Sequence, residues 1–200
     1  MAEIEDILKK GGIGVISTDT IYGLVGSALF PETVERIYRV RRRNPRKPSI
    51  ILVSSLKDLD KFGVKLSNRE KRFLENVWPG RVSVILACPY KKFAYLHRGK
   101  DALAFRLPKN KDLVDLIWRV GPLVAPSANP EGLPPAKNIR EARRYFGDKV
   151  DFYLSLSGGK SKLPSTLVSL CGGNIKVVRL GSVEAGSLLK KYRKSADIIN

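Results

Sequence analysis

Histidine, cysteine and carboxylates are scarce in this 200-residue chain, with one His, two Cys and 19 Asp plus Glu. A lone histidine, His97, cannot build a zinc cluster with Cys88 and Cys171 at any recognisable spacing. It also lacks a neighbouring serine or cysteine pattern, which argues against triad chemistry, and it reads as a plain loop residue. The two cysteines lie in or beside apolar runs and read as reduced structural thiols. No stretch approaches the roughly 18 apolar residues of a membrane span. The opening MAEIEDILKK has no apolar core of the kind a secretory signal needs. These absences point to a cytoplasmic protein with no membrane partner. Internal repeats and low-complexity linkers are also missing, so one packed unit is expected.

The shortage of acids leaves a large excess of base. Lys plus Arg is 37, which gives a formal charge of +18. Such an excess repels itself unless anions neutralise it, and phosphates of a nucleotide or nucleic acid are the usual candidates. The cations cluster, with seven between Arg36 and Lys47 and four between Lys190 and Lys194.

Apolar periodicity predicts helices over 3–10, 31–40, 55–62, 67–77, 111–119 and 139–146. Ser67 with Glu70 reads as a capping box. Strands are expected over 13–18, 49–53, 82–87, 103–107, 123–125, 152–156, 165–170 and 175–180. From Leu188 onward the chain reads as a basic tail with helical potential. Strands and helices intermix without strict βαβ order, and the late strands are joined by short turns. That predicts a twisted, mixed sheet with helices packed on it.

Two glycine motifs fail on context. Gly159-Lys160-Ser161 resembles the end of a P-loop, but the glycine required five residues earlier is Leu154, and a strand follows instead of a helix. Gly11-Gly12-Ile13-Gly14 precedes a strand, whereas a dinucleotide fingerprint follows one. Four segments remain, each placing hydroxyl, amide or guanidinium groups in a turn beside an apolar run. They are STDTIYGL (17–24), the proline-stiffened basic segment RVRRRNPRKP (39–48), PLVAPSANP (122–130, with APSANP at its end) and the Gly158-Gly159 loop that leads to Pro164-Ser165-Thr166. Planar guanidinium groups on a stiff backbone suit polyphosphate. Loop glycines let backbone N–H groups approach an anion.

Taken in order with WPGRVS, LAFRLP and Arg179-Leu180-Gly181, these segments resemble the YrdC-like domain of the threonylcarbamoyl-AMP synthases, of TsaC or Sua5 type. The resemblance spans residues 5–183 and treats 184–200 as a basic C-terminal tail. It implies a twisted mixed α/β sheet with a concave basic face. It also implies condensation of L-threonine, bicarbonate and ATP, with Mg²⁺, to threonylcarbamoyl-AMP and pyrophosphate. Partner proteins would then transfer the threonylcarbamoyl group to position 37 of tRNA. Matched by motif, Thr20, Arg106 and Ser165 are expected at threonine, flanked by Thr18 and Tyr22. Arg43, Lys47, Ser127 and Arg179 are expected at ATP, and Arg41, Arg43, Ser127 and Asn129 form the expected catalytic constellation.

This chain departs from the family pattern at several positions. Arg41 stands where lysine is usual, Asn44 and Arg81 where proline is, and Pro135 where serine is common. Leu52 lies near a position where longer members carry histidine. A rival reading is a non-catalytic YrdC-like RNA-binding protein, favoured by the charge. A carbamoyl-transfer module of a hydrogenase-maturation enzyme would need acylphosphatase and zinc-finger domains, which this sequence does not show. No side chain is a strong covalent nucleophile, so the expected chemistry rests on positioning and charge neutralisation. Direct tRNA binding is expected to be weak and salt-sensitive, carried partly by the basic tail, whose removal is expected to leave synthesis intact.

Overall fold

The computed structural model describes residues 1–157, 161 and 163–195. The Gly158-Gly159 pair of the fourth segment lies outside the described residues. The expected mixed α/β architecture is observed. Among the described residues, nine strands form one sheet: β1 (Ile13–Ile16), β2 (Gly23–Ser27), β3 (Ile50–Leu52), β4 (Val82–Ala87), β5 (Ala102–Arg106), β6 (Leu123–Val124), β7 (Phe152–Leu154), β8 (Thr166–Ser169) and β9 (Lys176–Arg179). Their order is β7-β1-β2-β6-β3-β5-β4-β8-β9. The pairs β1/β7, β3/β5 and β4/β8 are parallel and the others antiparallel.

Strand β2 was not anticipated. Its sequence, GLVGS, carries two glycines and one β-branched residue, so its propensity is poor. Packing decides instead: a Cβ at Gly26 would lie 2.5 Å from Thr33 Cγ2, so only glycine lets the strand meet the helix behind it.

The helices are α1 (Ala2–Lys9), α2 (Pro31–Arg41), α3 (Asn68–Val77), α4 (Ala94–His97), α5 (Lys111–Val120), α6 (Ile139–Phe146) and α7 (Ala185–Lys194). The Ser67/Glu70 capping box closes the start of α3 as expected. Leu56–Phe62 is a 3₁₀ helix with its own Ser55/Asp58 box, not an α-helix. His97 is corrected too: it ends the short α4 and is buried, with Nδ1 accepting from Gly99 N. Of the two thiols, Cys88 is buried as expected, but Cys171 is exposed. The stretch read as a tail is largely α7, and its Leu188 and Tyr192 are buried, with Tyr192 edge-on to Phe73 of α3. No helix among the described residues is long and apolar enough to cross a membrane.

Alternation along the strands creates two unlike faces. One face presents Ile51, Phe105, Val84, Val124 and Val168 to the main core, together with α2, α3 and α7 residues. On the other face, α1 and α5 cover one end, where Ile16, Val25, Leu52 and Leu123 pack with Leu113, Leu116 and Ile117. Beyond that end, the opposite face of β3, β5, β4 and β8 lines an open cavity of about 970 Å³.

Candidate functional site

The floor of the cavity follows from strand register. Ala125 N donates to Ile50 O, Ile50 pairs with Ala104, Ala104 with Ile85, and Ile85 with Ser169. Residues opposite one another share a face, so Ala125, Ile50, Ala104, Ile85 and Ser169 form one cross-sheet row, and all five line the cavity. Two residues along, Leu52 pairs with Arg106, and both line it as well. Alanines at two adjoining floor positions, Ala102 and Ala104, keep the floor low.

The segments singled out from sequence meet around this floor. STDTIYGL and APSANP join through the Gly23–Ser127 bridge and the Ala128 N to Tyr22 O bond of 2.8 Å. Arg106 Nη1 donates to Thr20 Oγ1 at 2.9 Å and lies 3.3 Å from Asp19 Oδ1. Ser165 Oγ pairs with Ser83 Oγ at 2.8 Å, while Arg179 Nη2 donates to Ser165 O at 2.9 Å. The expected threonine and nucleotide sets therefore share a wall. Arg41, only 2% exposed, sends Nε to Asn129 O (2.9 Å) and Nη2 to Ser127 Oγ (3.2 Å) and Asn129 Oδ1 (3.3 Å).

Hydroxyl protons can be assigned by counting. Thr18 Oγ1 donates to Ile21 O at 2.7 Å, which uses its only proton. In the 3.0 Å contact with Thr20 Oγ1, Thr20 must then be the donor. Thr20 Oγ1 also accepts from Arg106, so what it can still offer is one lone pair. It faces the cavity as an acceptor.

Of the nine expected site residues, Thr20, Arg43, Lys47, Arg106, Ser127, Ser165 and Arg179 line the cavity. Arg41 and Asn129 do not. They lie behind the wall, where the buried guanidinium ties Ser127 to Asn129, so their placement is that of positioning residues. Thr18 and Tyr22 line the cavity too. Sequence reasoning assigned nothing to Asp19, Ser83, Tyr38 or Glu131. Asp19 was visible within STDT as a carboxylate after a buried strand. Ser83 closes the WPGRVS segment but its role was not legible there, and Glu131 carried no signal, because their partners are 82 and 84 residues away.

The electrostatics are one-sided. Arg43, Arg46, Lys47, Lys100, Arg106 and Arg179 line the cavity, and among the described residues no Asp or Glu does. Burial pushes Arg41 down to about 10, helped by the neighbouring charge of Arg43. Burial likewise lowers Arg106 against the opposing pull of Asp19, and Arg179 and Arg81 lower it further. Arg179 is lowered by burial and by Arg43. Each guanidinium is held against desolvation at a cost that an anion in the cavity would offset.

The site and fold together define a class: a mixed-sheet α/β protein whose cleft is lined by guanidinium, ammonium and hydroxyl groups. The Sua5/YciO/YrdC family model, described as telomere recombination, matches residues 6–181, and the chain belongs to that family. It is 33% identical to a threonylcarbamoyl-AMP synthase of Hahella chejuensis, over 76% of this chain and 84% of that one. It is 30% identical to a threonylcarbamoyl-AMP synthase of Methylobacillus flagellatus, over 86% of this chain and 96% of that one. The crystal structure of P. abyssi Sua5 complexed with L-threonine superposes with a TM-score of 0.84 at 24% identity, covering 94% of this chain and 56% of that one. At that identity the likeness speaks for the fold.

Proposed function

We propose that this protein is a threonylcarbamoyl-AMP synthase, joining L-threonine, bicarbonate and ATP with release of pyrophosphate. The observation that carries the reading is convergence: two sets of ligand groups, drawn from segments far apart in sequence, line one cavity. Its volume of about 970 Å³ is at the upper end of the roughly 300–1,000 Å³ usual for small-molecule sites, which suits two substrates side by side.

In this reading Thr20, Arg106 and Ser165 hold threonine. Thr20 accepts from the substrate amine, and Arg106 offers charge to the carboxylate. The amine attacks CO₂ or bicarbonate to give a carbamate, and a carbamate oxygen attacks the α-phosphate of ATP, expelling pyrophosphate. Arg43, Lys47, Ser127 and Arg179 hold the polyphosphate, while Arg41 and Asn129 keep Ser127 in place. Arg43 spends Nε on Lys47 O and one Nη2 hydrogen on Pro48 O, leaving three N–H groups for phosphate. No carboxylate among the described residues lines the cavity, so Mg²⁺ would come with the nucleotide and would supply charge neutralisation beside Arg43, Lys47 and Arg179. Transfer to tRNA by partner proteins follows as the fate of the product.

Pyrophosphate release that needs threonine, bicarbonate and ATP together tests the reading. Release without threonine, or none at all, would refute it and favour the RNA-binding alternative. Arg43→Ala should weaken ATP binding with the fold intact, and unchanged ATP affinity would remove Arg43 from the site.

A further inference from the structure

Glu131 follows the APSANP turn and stands across from the basic segment, and neither the motifs nor the proposed reaction uses it. Two contacts of its carboxylate and one of its backbone place it. Oε1 pairs with Lys47 Nζ at 2.6 Å, Oε2 accepts from Asn44 N, and its own backbone N donates to Arg41 O at 2.8 Å. The carboxyl is held below its usual range by the Lys47 ammonium and the Asn44 amide. Lys47 lines the cavity, where no carboxylate among the described residues does, and its charge is spent on this one acid.

We infer that Glu131 is an internal counter-ion that sets the cleft's affinity for polyphosphate: it holds the Lys47 ammonium until phosphate oxygens take its place. The inference rests on the reading that the cleft binds ATP. Three features support a replaceable hold. The pair is half open to water, with side chains 60% and 29% exposed, and an exposed ion pair is weak. Glu131 is tied to the same segment through Asn44 N and Arg41 O, so its carboxylate stays within reach of Lys47 and competes with phosphate for that ammonium. The segment does not depend on Glu131 for its shape. Tyr38 Oη donates to Lys47 O at 2.7 Å, and Arg43 donates to Lys47 O and Pro48 O at 3.2 and 2.9 Å. Removing the charge should therefore free Lys47 without collapsing the loop.

The test is calorimetric titration of the full chain with inorganic tripolyphosphate and with ATP. Glu131→Gln keeps an acceptor for Asn44 N and removes the charge. It should tighten binding of both by roughly three- to tenfold. With Lys47→Met already present, the same change should alter affinity by less than about twofold, because the counter-ion acts through that lysine. Unchanged or weaker binding by Glu131→Gln, while wild type binds normally, overturns the inference alone. So does an equal gain in the Lys47→Met background. Wild-type protein that binds neither ligand overturns it together with the ATP reading.

Discussion

Thr20 shows how much a single oxygen can be asked to do. It accepts from Arg106, donates to Thr18 and still presents a lone pair to the cavity. Thr20→Val keeps the shape and removes all three functions. Threonine should bind more weakly by about 1–3 kcal/mol, the cost of leaving buried partners unmet. Calorimetric titration of threonine into both proteins decides it, and identical curves would reduce Thr20 to a turn residue. Asp151 illustrates a purely structural site. Arg36 grips both its oxygens, at 2.7 and 2.9 Å, and Ile13 N donates to it at 2.7 Å. Arg36 holds this carboxyl below its ordinary value of 3.8, against the opposing effect of partial burial, and the Ile13 amide adds to the hold. A depressed carboxylate stabilises the fold above its unfolded pKa, and that contribution is lost as pH falls through the folded value. Both partners are about one-third exposed, so the effect is about 1 kcal/mol or less. Urea unfolding at pH 7 and pH 3 should show wild type losing more stability on acidification than Asp151→Asn. Equal losses would remove the linkage.

Two helix ends decide larger matters. The last turn of α2 closes with Arg42 N bonded to Arg39 O and Arg43 N bonded to Tyr38 O, the pattern of a Schellman motif. Its left-handed residue is Arg42, at φ 51°, where glycine would be unstrained. This bend swings Arg43 and Lys47 to the cavity while Arg41 stays buried. Arg42→Gly should raise stability by about 0.5–1 kcal/mol in chemical denaturation, and a loss would mean that the Arg42 side chain matters more than its backbone. At the other end of the chain, α7 packs on α3 through Leu188, Tyr192 and the Arg69 guanidinium, 4.0 Å above the Tyr192 ring. Removal of residues 190–200, expected from sequence to flatten the salt dependence of tRNA binding and leave synthesis intact, would also strip the buried Tyr192 from the core. Leu188→Ala should cost about 2–4 kcal/mol and leave threonine affinity unchanged in protein that remains folded.

Over the whole molecule, the charge of +18 exceeds what one nucleotide neutralises. Besides the cleft, cations gather on α3 and α7, where Arg69, Lys71, Arg72, Lys190, Lys191, Arg193 and Lys194 share neighbouring turns. We expect weak tRNA binding whose affinity falls linearly with salt on a log–log plot. Neutralising Lys190, Arg193 and Lys194 by glutamine, which leaves the Lys191 Nζ bond to Asn76 O and the buried Leu188 and Tyr192 untouched, should flatten that slope and leave pyrophosphate release unaltered. An unchanged slope would move the RNA surface elsewhere.

Much of this protein is legible in its sequence. Apolar periodicity located α2, α3, α5 and most strands, because burial of one face imposes a pattern on neighbouring residues. The short polar segments marked the cavity, because a ligand site needs particular groups in turns beside buried strands. Where periodicity is weak, contacts from elsewhere took over: GLVGS became a strand because Gly26 admits Thr33, and the basic end became a helix because α3 offered it a surface. Tertiary structure alone separated residues within one motif. Arg41 and Arg43 are two positions apart, yet one is buried as a brace and the other lines the cleft. It alone also paired Ser83 with Ser165 and Lys47 with Glu131. Local pattern records which way a side chain must face along its own element. Which partner waits there depends on how distant elements are brought together, and that is decided only when the sheet closes.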